Sequence, residues 1–471
     1  MGTVEDAHEV NVAHTELRKT IRWIDGVALG GLAVPGFLYA SLGASVAALG
    51  AMGAVIVWTI SALIGYFQNN LIAELALLFP TRSGGMSIYA SEGLKRYWSW
   101  AGSFVVWGYW FAWSSAIAVN AVLVGDYLQA TVLPHADPRI IGIVMVVALW
   151  ALNVFGLRPG VFTGWILGLI TTVPMLIMIL ASFFSGRIAI HNLSFTIPGH
   201  VAWGSWTGIS LVLTWLFIAA WSAYASEMVG TLAPEYHDTV KDTPKALVWA
   251  SLVSLFFYVL LPLVAVGVVG MKTIQEQPYT AFVPLLQDVL GPWAGWVVLV
   301  AVISSLVIAA NISTIDGSRA LYQMSRDGYT TKLLGKLNKE HIPYVGMTLD
   351  LVMNVLLVWF LGTPVAIIAA GSMGYVIAFI LMAIAFLLLR RDRPNAPRPL
   401  KLKNSWIGVA VGLVVVNLLI LVVGAPSYGL TTTLLGIVIL LIGVAIYLWR
   451  VYVEDRSGKN QANGVSNGMS A

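Results

Sequence analysis

The sequence predicts an all-α membrane protein with about twelve transmembrane helices, and three observations carry that reading. Of its 471 residues, 58% are hydrophobic and only 10% charged, with a mean hydropathy of +0.83. A soluble domain usually carries about 25% charged residues, so this chain has too little charge to cover a water-facing surface. Apolar runs of the roughly 20 residues needed to cross ~30 Å of hydrocarbon recur along its whole length. The basic residues also segregate. With the N-terminus in the cytoplasm and the chain alternating, 23 of 26 Lys and Arg fall inside, from Arg18, Lys19 and Arg22 to Arg450, Arg456 and Lys459. Only Arg139, Arg187 and Lys272 fall outside.

The runs lie near residues 23–43, 45–79, 98–128, 138–157, 160–185, 205–232, 245–270, 292–313, 345–362, 364–389, 405–424 and 429–453. Residues 1–20 are polar and read as a cytoplasmic N-terminal tail; the first apolar stretch is long enough to stay in the membrane, so it is not expected to be a cleaved signal. Residues 455–471, rich in Gly, Ser and Asn, read as a disordered cytoplasmic tail. A net charge of +4 and a pI near 9.1 do not point to nucleic acid, because the basic residues are scattered in short loops. The absence of cysteine excludes a disulfide framework and thiolate metal sites, and no metal or cofactor is expected.

Two runs look interrupted. The first carries Gly30-Gly31-Leu32-Ala33-Val34-Pro35-Gly36 at mid-depth, where Gly and Pro disfavour helix by about 1 and 3 kcal/mol against Ala. Backbone freed there survives in a membrane only against protein or an aqueous cavity. It then offers N–H groups to an anion and carbonyls to a cation. The alternative is a close helix–helix contact made by small residues. The sixth run reads Trp221-Ser222-Ala223-Tyr224-Ala225-Ser226-Glu227. An ionisable group that deep is a functional hypothesis by default, with a structural carboxylate as the alternative. Trp221, about 9 Å before it along a helix, could lid a cavity and meet a cation through its ring face, or simply pack. The two interrupted runs lie five helices apart, which makes two inverted halves: 21–185 and 186–390, followed by helices 11 and 12 over 391–454. This arrangement points to a substrate site at the breaks. Trp107, Trp110 and Trp113 in the third run share a spacing that reads as a packing or cavity face, and Tyr375 follows small residues in the tenth. Glu227, Trp110 and Tyr375 form the expected gating and proton set; Ser304 and Ser305 are a possible ion site. Asp350 has no explanation at this level.

Three segments carry a family resemblance. Glu74 to Pro80 with Gly84-Gly85-Met86-Ser87-Ile88-Tyr89 resembles the end of helix 2 and the following loop of the amino acid–polyamine–organocation permeases. Glu235 to Ala246 resembles their loop after helix 6. Ser318 to Gly328, closing at Pro343, is similar to their loop after helix 8. Asn153 to Arg158 and Arg398-Pro399-Leu400-Lys401 are weaker echoes. The resemblance implies a leucine-transporter-like five-plus-five inverted repeat with substrate held at the breaks of helices 1 and 6. It designates Gly30, Gly31, Leu32, Ala33, Val34, Trp221, Tyr224, Ala225 and Ser226 as substrate-binding residues. Trp221 to Glu227 also resembles the helix 6 pattern of the arginine/agmatine exchanger branch, in which the Trp packs on substrate and the Glu is linked to pH response. The usual Gly-Ser/Ala-Gly of helix 1 is replaced by Gly30-Gly31-Leu32-Ala33, which counts against carboxylate recognition. Ala225 replaces a common Gly, and the fifth run holds no Lys.

The expectation is therefore a permease of the cell (plasma or inner) membrane, multi-pass, with both termini cytoplasmic. It would move amino acids or related amines by alternating access. Its partners would be the small-molecule substrate, H+ or a counter-substrate ahead of Na+, and the lipid bilayer, in a monomer or homodimer. A polyamine or ethanolamine-type permease is the nearest alternative, and a channel or sensor on a transporter fold the alternative of another class. No enzyme is expected, since no paired carboxylate, His cluster or nucleophile–base pair sits at membrane depth and nothing resembles a phosphate-binding P-loop.

Overall fold

The computed structural model describes residues 19, 21–32, 34–80, 85–98, 100–155, 161–280, 282–340 and 342–456. Ala33, Arg18, Gly84, Arg158 and Lys459, named above, lie outside them, as does the tail beyond Arg456.

The first span is broken. A four-residue helix, α1 (Trp23–Gly26), widens into a π turn over Val27–Gly31. The chain then re-forms as a 3-10 segment, Val34–Ala40, and turns at Ser41 into α2 (Leu42–Leu49). Gly50, at φ +79°, ends α2 and starts α3 (Ala51–Leu78). The first span thus runs to Leu49, longer than its apolar run suggested. The turn into the second span hides in unbroken apolar sequence because a single left-handed Gly makes it.

α4 (Gly85–Leu94) lies between α3 and the third span, which is α5 (Ala101–Ser114) and α6 (Ala116–Thr131) joined at Ser115. α7 (Pro138–Val154) and α8 (Val161–Phe184) complete the first half. The sixth span is α9 (Trp206–Ala223), which tightens into a long 3-10 segment, Ala225–Glu235. α10 (Thr239–Glu276) kinks at Gly270; α11 (Phe282–Leu290) is short; α12 (Trp293–Arg326), α13 (Tyr344–Phe360) and α14 (Pro364–Asp392) follow. α15 (Ser405–Leu419), extended by tight turns to Tyr428, and α16 (Leu430–Trp449) end the chain.

Among the described residues, eight continuous helical stretches are long and apolar enough to cross a membrane, three apolar helices are shorter (138–154, 168–184 and 344–360), and the first span is interrupted. All fall at the positions of the twelve runs. Two segments expected as loops are helical. Lys241 to Ala246 forms the start of α10, and Ser318 to Arg326 the end of α12. At 34 residues α12 is about 51 Å long, so its basic end reaches past a ~30 Å hydrocarbon layer. Asp455, at the start of the expected tail, is ion-paired with Arg450 at 3.0 Å and Lys332 at 3.2 Å.

α3 and α10 pack along each other; α10 also lies against the broken part of the first span, and both lie against the 3-10 part of the sixth, while α6, α7, α12 and α13 form a second group. α14 contacts α4, α5, α9 and α15. Burial grades outward from 83% of the apolar window of 101–131 to 28% and 17% for the last two spans, so the last two face lipid. Large apolar residues such as Val144, Leu152, Val300 and Leu430 are exposed there and elsewhere, as a lipid solvent allows.

Candidate functional site

The first span, where it is broken, meets the sixth, where it tightens from α to 3-10. Gly30 lies so close to the 3-10 part of the sixth span that a Cβ would sit 2.4 Å from Val229 Cγ2, and Gly31 faces the Ala250 backbone of α10. Glycine at both positions therefore serves close packing, one of the two roles open at the sequence level. The carbonyls freed by the break have partners: Thr172 donates to Leu32 O at 2.7 Å, and the Tyr258 hydroxyl lies 3.1 Å from Val34 O. That hydroxyl is also 2.9 Å from Ser222 O, where α9 ends. Its single proton serves one carbonyl at a time, so one α10 side chain ties the broken first span to the sixth. Ser222 Oγ adds a bond to Phe37 O at 3.3 Å.

Above this junction lies a small cavity with about 190 Å³ of empty space, lined by Phe37, Ala112, Trp113, Trp221 and Tyr375. Most of that space is gaps between atoms; the room left for solvent is about one water molecule, so it is a contracted chamber. Phe37 and Trp221 are 4.9 Å apart between ring centroids, and Phe37 and Trp113 6.1 Å. Tyr375 meets Trp113 edge-on at 6.4 Å. The Trp221 indole donates to Ala112 O at 3.1 Å, fixing its ring across the chamber from α5.

Glu227 sits behind the aromatic wall, fully buried. Its Oε1 accepts from Tyr109 at 2.8 Å and from Tyr375 at 3.2 Å; its Oε2 has no hydrogen-bond partner, and neither does the indole N–H of Trp113. A buried carboxylate oxygen without a donor is costly, so the site is incomplete without a proton or a ligand.

The expected residues divide. Trp221 and Tyr375 line the chamber and Glu227 backs it. Tyr224 points to α15 instead, donating to Asn417 Oδ1 at 3.1 Å, and Ser226 accepts from Asn69 at 2.9 Å. Ala225 is buried but does not line the chamber. Trp110 is not at Glu227. Tyr109 and Trp113, four apart, share the face towards the chamber, whereas Trp110 and Ser114, also four apart, face Asp350. Ser304 and Ser305 lie on α12 and form no hydrogen bond with the first span among the described residues. Groups of three or more His, Cys, Asp or Glu able to hold a metal are absent among those residues.

Several residues were not singled out from the sequence. Phe37 is the first span's contribution to the chamber, and an aromatic in an apolar run gives no signal. Tyr258 did give one: it is a tyrosine inside a span. So did Gln68 and Asn69 of α3, both buried; Asn69 Nδ2 bridges Ser226 and Ser251 at 2.9 and 2.7 Å and so joins the second, sixth and seventh spans.

Comparison with known proteins identifies the family and the fold. The family described as amino acid permease matches residues 25–449. The lysine-specific permease of Lactococcus lactis is 26% identical, covering 81% of this chain and 78% of its own. A polyamine transporter of Arabidopsis thaliana is also 26% identical (88% and 81%), and the D-serine/D-alanine/glycine transporter of Escherichia coli K12 is 25% identical (87% and 90%). Among solved structures, the manganese transporter of Eremococcus coleocola superposes over 94% of this chain and 99% of its own, with a TM-score of 0.59 at 12% identity, a likeness of fold. A family match over nearly the whole helical bundle, on a fold whose first span is broken and whose sixth turns from α to 3-10, makes this chain a member of the amino acid permease family.

Proposed function

We propose that the protein is a secondary active transporter of amino acids or related amines, working by alternating access with H+ coupling or solute exchange. The observation that carries this is the chamber itself. It lies where the broken first span meets the sixth, its walls are aromatic, and a buried carboxylate stands behind them. Aromatic faces attract an ammonium group, by about 2 kcal/mol or more when water is excluded, and a carboxylate oxygen without a donor strengthens that preference. Backbone rather than charged side chains forms the rest of the junction, so the two halves can re-pack without exposing a fixed charge to lipid.

A second reading has its own support: a polyamine-type cargo without a carboxylate. No Arg, Lys or His lines the chamber, and polyamine transporters stand among the relatives beside amino acid permeases. Counterflow in proteoliposomes separates the two. Lysine and cadaverine differ only in the carboxylate; exchange of lysine alone supports the amino acid reading, exchange of cadaverine alone the polyamine reading. A panel of amino acids and amines that gives no trans-stimulated, saturable exchange overturns both. With any exchanged amine, Trp221→Leu is expected to weaken affinity about 10–30-fold with little change in melting temperature. Ala112 O keeps its bond from Ser115, so no buried carbonyl is orphaned. Unchanged affinity would assign Trp221 to packing.

Both termini are placed in the cytoplasm of a plasma or inner membrane, on the strength of the basic residues. Because the chain has no cysteine, single cysteines report topology directly. Lys272→Cys is expected to react with an impermeant maleimide added to intact cells, and Lys336→Cys only after permeabilisation. The opposite pattern would invert the protein.

A further inference from the structure

Asp350, like Glu227, is a carboxyl group fully buried among the helices, and it does not line the chamber. It lies on α13 with none of its surface exposed. Oδ1 accepts from Ser114 at 2.5 Å and from the Trp110 indole at 3.2 Å, both on α5. Oδ2 has no partner. It rests on Gly317 of α12, where an added Cβ would lie 2.9 Å from it. Only a residue without a side chain lets the carboxyl lie flat on that helix. One turn on, Asn354 donates to Asp350 O at 2.8 Å and accepts from Ala118 N at 3.0 Å. It thereby satisfies an N–H freed where α6 begins, one the helix itself leaves unpaired.

No counter-charge serves Asp350. Of the elements packed on α13, α12 carries Asp316 and Arg319 on either side of Gly317, both exposed. α6 carries Asp126 three turns beyond Ser114. α7 carries Arg139 at its far end, against Gly362. In the turn before α13, Lys332 is engaged by Glu454 and Asp455. Tyr109, on α5, bonds Glu227. Among the described residues Asp350 makes no ion pair within 4.0 Å. A lone carboxylate out of water, without a cation, is among the costliest groups a protein can bury; two donors on one oxygen offset part of that cost and leave the other oxygen bare.

We infer that Asp350 is a proton-binding site separate from Glu227, its proton carried on the side of Oδ2. Adjacent residues of one helix, Tyr109 and Trp110, donate to the two buried carboxyls, so α5 is the element through which loading of one site is felt at the other. The third span then reads protonation on one face and the chamber on the next.

The test needs no substrate, so its outcome stands apart from that of the transport reading. Purified protein in phosphatidylcholine vesicles at neutral pH, in choline buffer, is expected to show the infrared carbonyl stretch of a neutral carboxylic acid, and Asp350→Asn to lack it. Ser114→Ala removes one donor from Oδ1 and is expected to move that band to higher frequency, which keeps the test alive if Asp350→Asn does not fold. Glu227→Gln should leave it in place. A spectrum unchanged by Asp350→Asn, or a band unmoved by Ser114→Ala, overturns the proposal. So does a band that vanishes when sodium replaces choline, which would make the site one for a metal cation.

Discussion

Glu74→Ala is expected to cost about 3–5 kcal/mol of stability, the range for removing one partner of a buried ion pair, read as a large fall in the melting temperature of the purified protein. Glu74 ends α3 with 1% of its side chain exposed. Arg390, at the end of α14, grips both its oxygens, at 3.0 and 2.5 Å, in the forked geometry that makes such pairs strong. Arg398 stands 3.4 Å from Oε1 and donates to Leu389 O, one of the last carbonyls of α14; Leu402 N closes the ring on Oε2 at 2.8 Å. Removing the glutamate leaves two guanidinium groups, one 3% and the other 9% exposed, with no anion between them. That charge, more than the lost hydrogen bonds, sets the size of the effect. Arg390→Ala alone should cost less, because Arg398 remains to pair with Glu74. A loss under about 1 kcal/mol for Glu74→Ala would place the cluster in water and refute its structural role.

The cluster also marks what sequence could and could not give. Glu74 and Arg398 each stand in a segment quoted for the family resemblance, but nothing in either segment says that they meet. The irregular first and sixth spans were legible because Gly, Pro and Glu stand out against apolar sequence; the first is broken as expected, whereas the sixth tightens to 3-10 without a break. Trp221 could be weighed because it lies a fixed distance from Glu227 on the same span. Asp350 was visible yet unexplained, since its donors come from another span. The three tryptophans of α5 were grouped too readily. Steps of three residues drift by about 60° each around a helix, so Trp107 and Trp113 sit about 120° apart. Trp113 reaches the chamber, whereas Trp107 packs on Gly443 and donates to Ile439 O of α16. Phe37 was beyond reach: in a membrane span an aromatic residue is equally at home against lipid, protein or ligand.

Glu227→Gln is expected to abolish most of the pH dependence of amine binding while leaving the fold intact. The amide keeps an oxygen for the Tyr109 and Tyr375 hydroxyls and fills the same volume, but it cannot ionise. It therefore imitates the neutral acid at every pH. In the wild type, raising the pH creates an anion behind the aromatic wall and strengthens the hold on an ammonium group; lowering the pH removes it. The sign follows: variant and wild type should agree at acid pH and diverge as the pH rises, with the variant weaker. A hydrogen bond to a charged group is worth about 1.5–3 kcal/mol, so the divergence should reach about 10- to 150-fold in Kd for whichever amine counterflow identifies. Glu227→Asp, which retains the charge but draws it back by one methylene, should preserve the pH slope at lower affinity. If the Gln variant keeps the wild-type slope, the titrating group lies elsewhere, and Asp350, reached through the neighbouring residue of the same helix, becomes the group to replace next.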